Sequence, residues 1–192
     1  MPHFEPLCRE IFTVSELLSP QECQDYIDLS ESLGYYDAPI NSMAGPIINS
    51  SMRNNQRVML DDQDRAVDLW ERIREYVPER IMMWKAVGVN ERLRFYRYHV
   101  GQQFDWHADG SFHRPHSQER SLLTYMIYLS EGCQGGETSF HEPARNLPKH
   151  VKITPKTGMA LLFAHRLLHK GEPVEEGCKY VLRTDVMYAP AS

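Results

Sequence analysis

The spacing of apolar positions changes once along the chain. Up to Pro78 it is mostly helical; beyond Pro78 it alternates. A short strand-like run, Phe12-Thr13-Val14, comes first. Ser19 then offers an N-cap, Pro20 suits the first helical position, and Glu22 completes a capping box. Cys23, Tyr26, Ile27 and Leu33 follow at helical spacing and Gly34 ends the helix. From Ala38 to Asn55 the density of Pro, Gly, Asn and Ser predicts a long loop. A second helix is expected from Asp62 to Tyr76, with Ala66, Leu69, Trp70 and Ile73 on one face and Pro78 just beyond.

After Pro78 the grammar is that of strands. Leu93, Phe95, Arg97 and His99 point one way, and Arg94, Tyr96 and Tyr98 the other. SLLTYMIYLS, GGETSFHE, KHVKITP, GMALLFAH and KYVLRTDVMY are further strands, separated by Gly, Pro or polar turns. Helices followed by many short strands, with no helix between them, predict a mainly β protein with N-terminal helices. Its core is a sandwich or closed double sheet, not a parallel doubly wound one. One domain of 192 residues is expected, with 1–90 as helical support and lid elements and 91–190 as the β core.

Composition narrows the class without choosing a function. Hydrophobic residues make up 42% and charged residues 24%, ordinary values for a globular chain. A net charge of −5 gives no support to a nucleic-acid or anionic-membrane partner. No apolar run reaches membrane-spanning length. The N-terminus, with Glu5 and Glu10, does not read as a signal peptide. Cys8, Cys23, Cys133 and Cys178 are far apart and form no C-x-x-C pair, so reduced thiols and a cytoplasmic location are expected.

The densest chemistry lies in FDWHADGSFHRPH, residues 104–116. His107 and Asp109 are two residues apart, so on a strand they share a face and can converge on one ion. A facial iron site needs one more histidine and leaves three positions open. His113, His116, His141, His150, His165 and His169 are candidates. His169 is preferred, because it follows the apolar strand GMALLF and precedes Gly171 and Pro173; His165 is second. On the last strand Lys179, Val181, Arg183 and Asp185 alternate on one face. A cation facing an apolar interior needs an anion. A dicarboxylate chelating the metal at one end would supply it, with Lys179 or Arg183 at the other.

HADG, CQGGETSF and HKGEPVEEGCKY together resemble the 2-oxoglutarate- and iron(II)-dependent dioxygenases. RFYRYHVGQQFDWHADG is similar to their prolyl 4-hydroxylase-like branch. The likeness runs from Leu93 to Tyr188. It implies a double-stranded β-helix, the cupin-like jelly roll. It also implies Fe(II) held by His107, Asp109 and His169, with 2-oxoglutarate and O2 as cosubstrates and ascorbate (vitamin C) as a possible aid. Lys179 sits where the family grips the far carboxylate of 2-oxoglutarate. Tyr98 resembles a tyrosine that bonds the same carboxylate, Tyr128 occupies a similar strand position, and Arg183 could share the role or touch substrate. The implied reaction is hydroxylation of a protein or peptide side chain such as proline.

Other readings stay open. The substrate could be a small metabolite, admitted under a lid formed by 38–55 with Arg53 and Arg57 behind it. A cupin-like metal-binding module without catalysis would need no inward cation. A zinc hydrolase would need a general base, for which Glu137 is the applicant.

Overall fold

A computed structural model describes residues 1–42, 45–144 and 148–191. The chain opens with β1 (His3–Cys8) and β2 (Ile11–Ser15), then α1 (Pro20–Leu33), β3 (Tyr36–Asp37), β4 (Gln56–Asp61) and α2 (Gln63–Ile73). β5 (Trp84–Val89), β6 (Arg92–Tyr98), β7 (Phe104–His107), β8 (Arg120–Tyr128) and β9 (Thr138–His141) follow. β10 (His150–Ile153), β11 (Ala160–Ala164), β12 (His169–Gly171) and β13 (Lys179–Pro190) complete the framework.

Two antiparallel sheets form the jelly roll. The larger runs β1-β2-β11-β8-β13-β6-β4-β3, with β5 paired to the far half of β13. The smaller runs β7-β12-β9-β10. Alternation along β6, β8 and β13 sends side chains to two separate cores. Leu93, Phe95, Tyr125 and Leu182 pack against Cys23, Leu69 and Ile73 of the helices. Tyr96, Tyr98, Tyr128 and Val181 pack toward Phe140 and Ile153 of the smaller sheet. The functional residues lie on this second, inter-sheet face.

The helices start and stop as their sequences dictate. Ser19 accepts a hydrogen bond from the Glu22 amide, and the Glu22 carboxylate reaches back to the Ser19 amide at 2.8 Å. Gly34 ends α1 at φ 80°, a backbone angle few other residues adopt. Asp62 caps α2 by accepting from the Arg65 amide at 2.9 Å.

Two expectations change. Residues 1–90 supply more than helical support, because β2 pairs with β11 and β4 with β6 inside the larger sheet. β2 reads weakly as a strand because Phe12 and Val14 carry too short an alternation to show their role as sheet partners. The segment 38–55 is not wholly loop. Ile40–Ser42 pairs with Gly45–Ile47, and Arg53 bridges to Phe104. Turn-forming residues in a hairpin and in a free loop are the same residues, so composition does not separate them. Residues 43 and 44 of the expected lid lie outside the described residues.

Candidate active site

The first site histidine ends β7 and the second begins β12. Antiparallel pairing sets His107 directly opposite His169, which brings residues far apart in sequence together, their ring centroids 4.2 Å apart. Asp109 leaves β7 but is pinned by its amide, which donates to the His165 carbonyl at 2.8 Å. Its carboxylate lies 3.9 Å from His107 Nε2 and 3.7 Å from His169 Nε2. One donor atom from each of the three falls within 4.8 Å of the others.

The protonation pattern suits a cation. His107 Nδ1 lies 2.7 Å from the Asp105 carbonyl and His169 Nδ1 2.9 Å from the Leu167 carbonyl. A carbonyl only accepts, so each Nδ1 carries the hydrogen and each Nε2 turns a lone pair toward Asp109. Burial, aided by the neighbouring His169, pushes His107 down to about 3. Burial likewise lowers His169. Burial opposes ionisation of Asp109, but Arg183, His169 and His107 outweigh it and hold the carboxyl well below its usual range. At neutral pH the set is two neutral imidazoles and one carboxylate, which fits a facial iron(II) site with open positions.

A chain of hydrogen bonds supports Asp109 from behind. Thr124 Oγ1 donates to Asp109 Oδ2 at 2.5 Å and lies 2.9 Å from His165 Nδ1. A carboxylate only accepts, so the threonine proton points at Asp109 and His165 Nδ1 donates to the hydroxyl oxygen. The remaining His165 nitrogen lies 2.8 Å from Ser121 Oγ, which itself receives the Phe112 amide. His165, second choice as ligand, is therefore a buried support for the carboxylate.

Lys179 lines the same cavity as the triad. It is 2% exposed. Its ammonium donates to the Gly136 carbonyl and lies 5.2 and 5.4 Å from the ring centroids of Tyr98 and Tyr128. Burial pulls it from 10.5 down to about 8. No salt bridge is formed by Lys179 among the described residues. Gly135 and Gly136, both at positive φ, bring that carbonyl into reach. A Cβ on Gly135 would stand 2.3 Å from the Pro173 carbonyl oxygen.

The other expected residues divide. Tyr98 lines the cavity beside Lys179. Tyr128 donates its hydroxyl to Thr138 at 2.7 Å and contributes only its ring to the lysine cage. Arg183 is an ion-pair residue here, 2.8 Å from Asp109 and 3.2 Å from Asp185. Glu137, the applicant for a hydrolytic base, is not among the residues lining the triad cavity. Two further residues join the site: Phe104, stacked at 3.5 Å on the His107 ring, and Thr124, which donates to Asp109. Phe104 stands next to HxD on the same strand; Thr124 gave no signal, being one hydroxyl in an apolar strand.

Fold and donor set are a jelly roll and a His-Asp-His group able to hold one metal ion. A family model of the 2OG-Fe(II) oxygenase superfamily matches residues 93–184. That match covers just under half of the chain, and the relatives it resembles carry prolyl 4-hydroxylase names. "Probable prolyl 4-hydroxylase 11" of Arabidopsis thaliana is 32% identical over 149 residues, covering 74% of this chain and 48% of that protein. "Probable prolyl 4-hydroxylase 3" of the same plant is 26% identical, covering 88% and 66%. The chain thus spans about half to two thirds of these relatives. Among solved structures, the viral collagen prolyl hydroxylase of Paramecium Bursaria Chlorella virus-1 aligns with TM-score 0.64 and 22% identity, over 96% of this chain and 99% of that one. A Pseudomonas putida prolyl-4-hydroxylase aligns with TM-score 0.68 and 14% identity, over 95% and 93%. Both share the fold.

Proposed function

We propose that this chain is an Fe(II)- and 2-oxoglutarate-dependent hydroxylase acting on a peptide side chain, with proline as the first residue to test. The carrying observation is Lys179, a buried cation with no salt bridge among the described residues, lining the cavity that holds two histidines and an aspartate. A metal site alone does not call for such a cation; a dicarboxylate cosubstrate does. The names of the prolyl 4-hydroxylase relatives support the substrate class.

His107, Asp109 and His169 would hold the iron, leaving one side of it for cosubstrate and oxygen. Bound iron supplies the oxidation, in which R–H, 2-oxoglutarate and O2 become R–OH, succinate and CO2. Lys179 receives the far carboxylate, and the Tyr98 and Tyr128 rings keep water from it. Thr124 fixes the plane of the Asp109 carboxylate through its hydroxyl. Phe104 braces the His107 ring from the outside.

The test is anaerobic addition of iron(II) and 2-oxoglutarate, followed by air, ascorbate and a peptide panel. A weak visible charge-transfer band, then succinate release and a peptide heavier by one oxygen, is the expected result. No band and no succinate would defeat the reading.

A further inference from the structure

The triad is served by a second cavity, of about 440 Å³, that shares Tyr96, Phe104, His107, Asp109 and Arg183 with the first but excludes Lys179. Its volume lies within the range of about 300–1,000 Å³ typical of ligand sites. Four guanidiniums line it, those of Arg53, Arg57, Arg94 and Arg183. Among the described residues, the carboxylates lining it are those of Asp109 and Asp185. Arg94 and Arg183 spend their charge on these two. Arg53 and Arg57 have no ion pair among the described residues.

Arg53 is held in place without being satisfied. It is 5% exposed. Its guanidinium carbon sits 4.7 Å from the Tyr96 ring centroid and 4.2 Å from that of Phe104. Nε donates to Asn55 Oδ1 at 2.7 Å and Nη1 reaches the Pro39 carbonyl at 3.5 Å, but Nη2 has no acceptor. Arg57 Nε and Arg183 Nε are also buried without one. Burial opposes ionisation of the Tyr96 phenol, yet Arg183, Arg53, Arg94 and Arg57 together bring it below its ordinary value. Phe104 lies between Arg53 and His107, so the rigid cation stands one aromatic ring away from a metal ligand.

Planar guanidiniums with free N–H groups match a carboxylate in two-pronged geometry. We propose that the substrate of this site carries a carboxylate close to the C–H bond it presents, and that Arg53 and Arg57 receive it. This rests on the oxygenase reading and narrows its substrate. The carboxylate has two possible sources: the target residue's own free carboxylate, or an Asp or Glu side chain beside it in a peptide.

The test compares acid and neutral twins on the full chain. Proline and other aliphatic amino acids are paired with their amides, and C-terminally amidated Pro-Asp and Pro-Glu peptides with their Pro-Asn and Pro-Gln forms. Calorimetric titration of the metal-free chain reads binding; succinate release with iron and 2-oxoglutarate reads turnover. At least one acid should bind, and drive succinate release, about tenfold or more better than its twin; which pair responds identifies the source. Arg53→Gln should bring that ratio toward one, and Arg57→Gln, at a less buried position, should do so in part if the first variant fails to fold. Equal responses, or none, to acid and twin across the panel overturn the proposal. Absence of succinate under all conditions while the binding preference persists would defeat the oxygenase reading and leave the carboxylate site standing.

Discussion

Lys179→Met separates the fold from the cosubstrate, because the lysine opposes the first and serves the second. The variant keeps an unbranched side chain one atom shorter and removes the charge. The fall from 10.5 to about 8 corresponds to roughly 3 kcal/mol of disfavoured charge burial. Losing the donor to the Gly136 carbonyl returns about 1–2 kcal/mol of that. The net expectation is a variant about 1–2 kcal/mol more stable at pH 7, or roughly 2–8 °C in Tm. The sign with pH follows from linkage. Below about 8 the lysine is charged in both states and the folded chain bears the whole cost. Between about 8 and 10.5 the unfolded chain holds the proton and the folded chain does not, so wild-type stability rises with pH. The advantage of the methionine should therefore shrink across that window. Thermal unfolding at pH 7 and pH 10, with and without 2-oxoglutarate, reads both effects, and 2-oxoglutarate should stabilise the wild type alone. A variant less stable at pH 7, or an advantage that does not change with pH, would refute the reasoning.

Thr124→Val removes the hydroxyl that Asp109 accepts from and strands the His165 donor; iron(II) or cobalt(II) affinity should fall by about 10–100-fold, as read by metal titration, with about 1–3 kcal/mol lost from stability. Asp109→Ala should abolish 2-oxoglutarate turnover while the far-ultraviolet dichroism stays that of the wild type; retained succinate release would remove Asp109 from the site. Gly135→Ala forces a side chain against the Pro173 carbonyl at positive φ and should destabilise the chain by about 1–3 kcal/mol, seen as an earlier chemical-denaturation midpoint with a lowered affinity for 2-oxoglutarate.

The parts of the site visible in the sequence are those set by strand geometry. His107 and Asp109 show because two residues is the repeat of a strand. Lys179 shows because charge on the inward rhythm of a buried strand demands a reason. His169 stands out among six histidines by its place between the strand GMALLF and a Gly-Pro stretch, and its pairing with His107 explains why that place works. Arg53 shows in the sequence only as a charge behind a loop, since its seat between Tyr96 and Phe104 depends on a single bridge across 51 positions. Such contacts have no period to read. The same holds for His165, whose role depends on the rotamers of Thr124 and Ser121 rather than on spacing.

β13 is clamped between β8 and β6, and it alone carries both Lys179 and Arg183. Slipping it by one residue would turn Tyr180 and Leu182 inward and carry both cations to the helical side, so the proposed cosubstrate anchor sits on a strand held in register from both sides. Arg57 instead lies on β4 at the border of the larger sheet, with only the two-residue β3 beyond it, and Arg53 just before β4, bridged to Phe104 of β7. Under the proposed function, substitutions at Arg53 and Arg57 would alter the substrate taken while leaving the strand that carries Lys179 and Arg183 untouched.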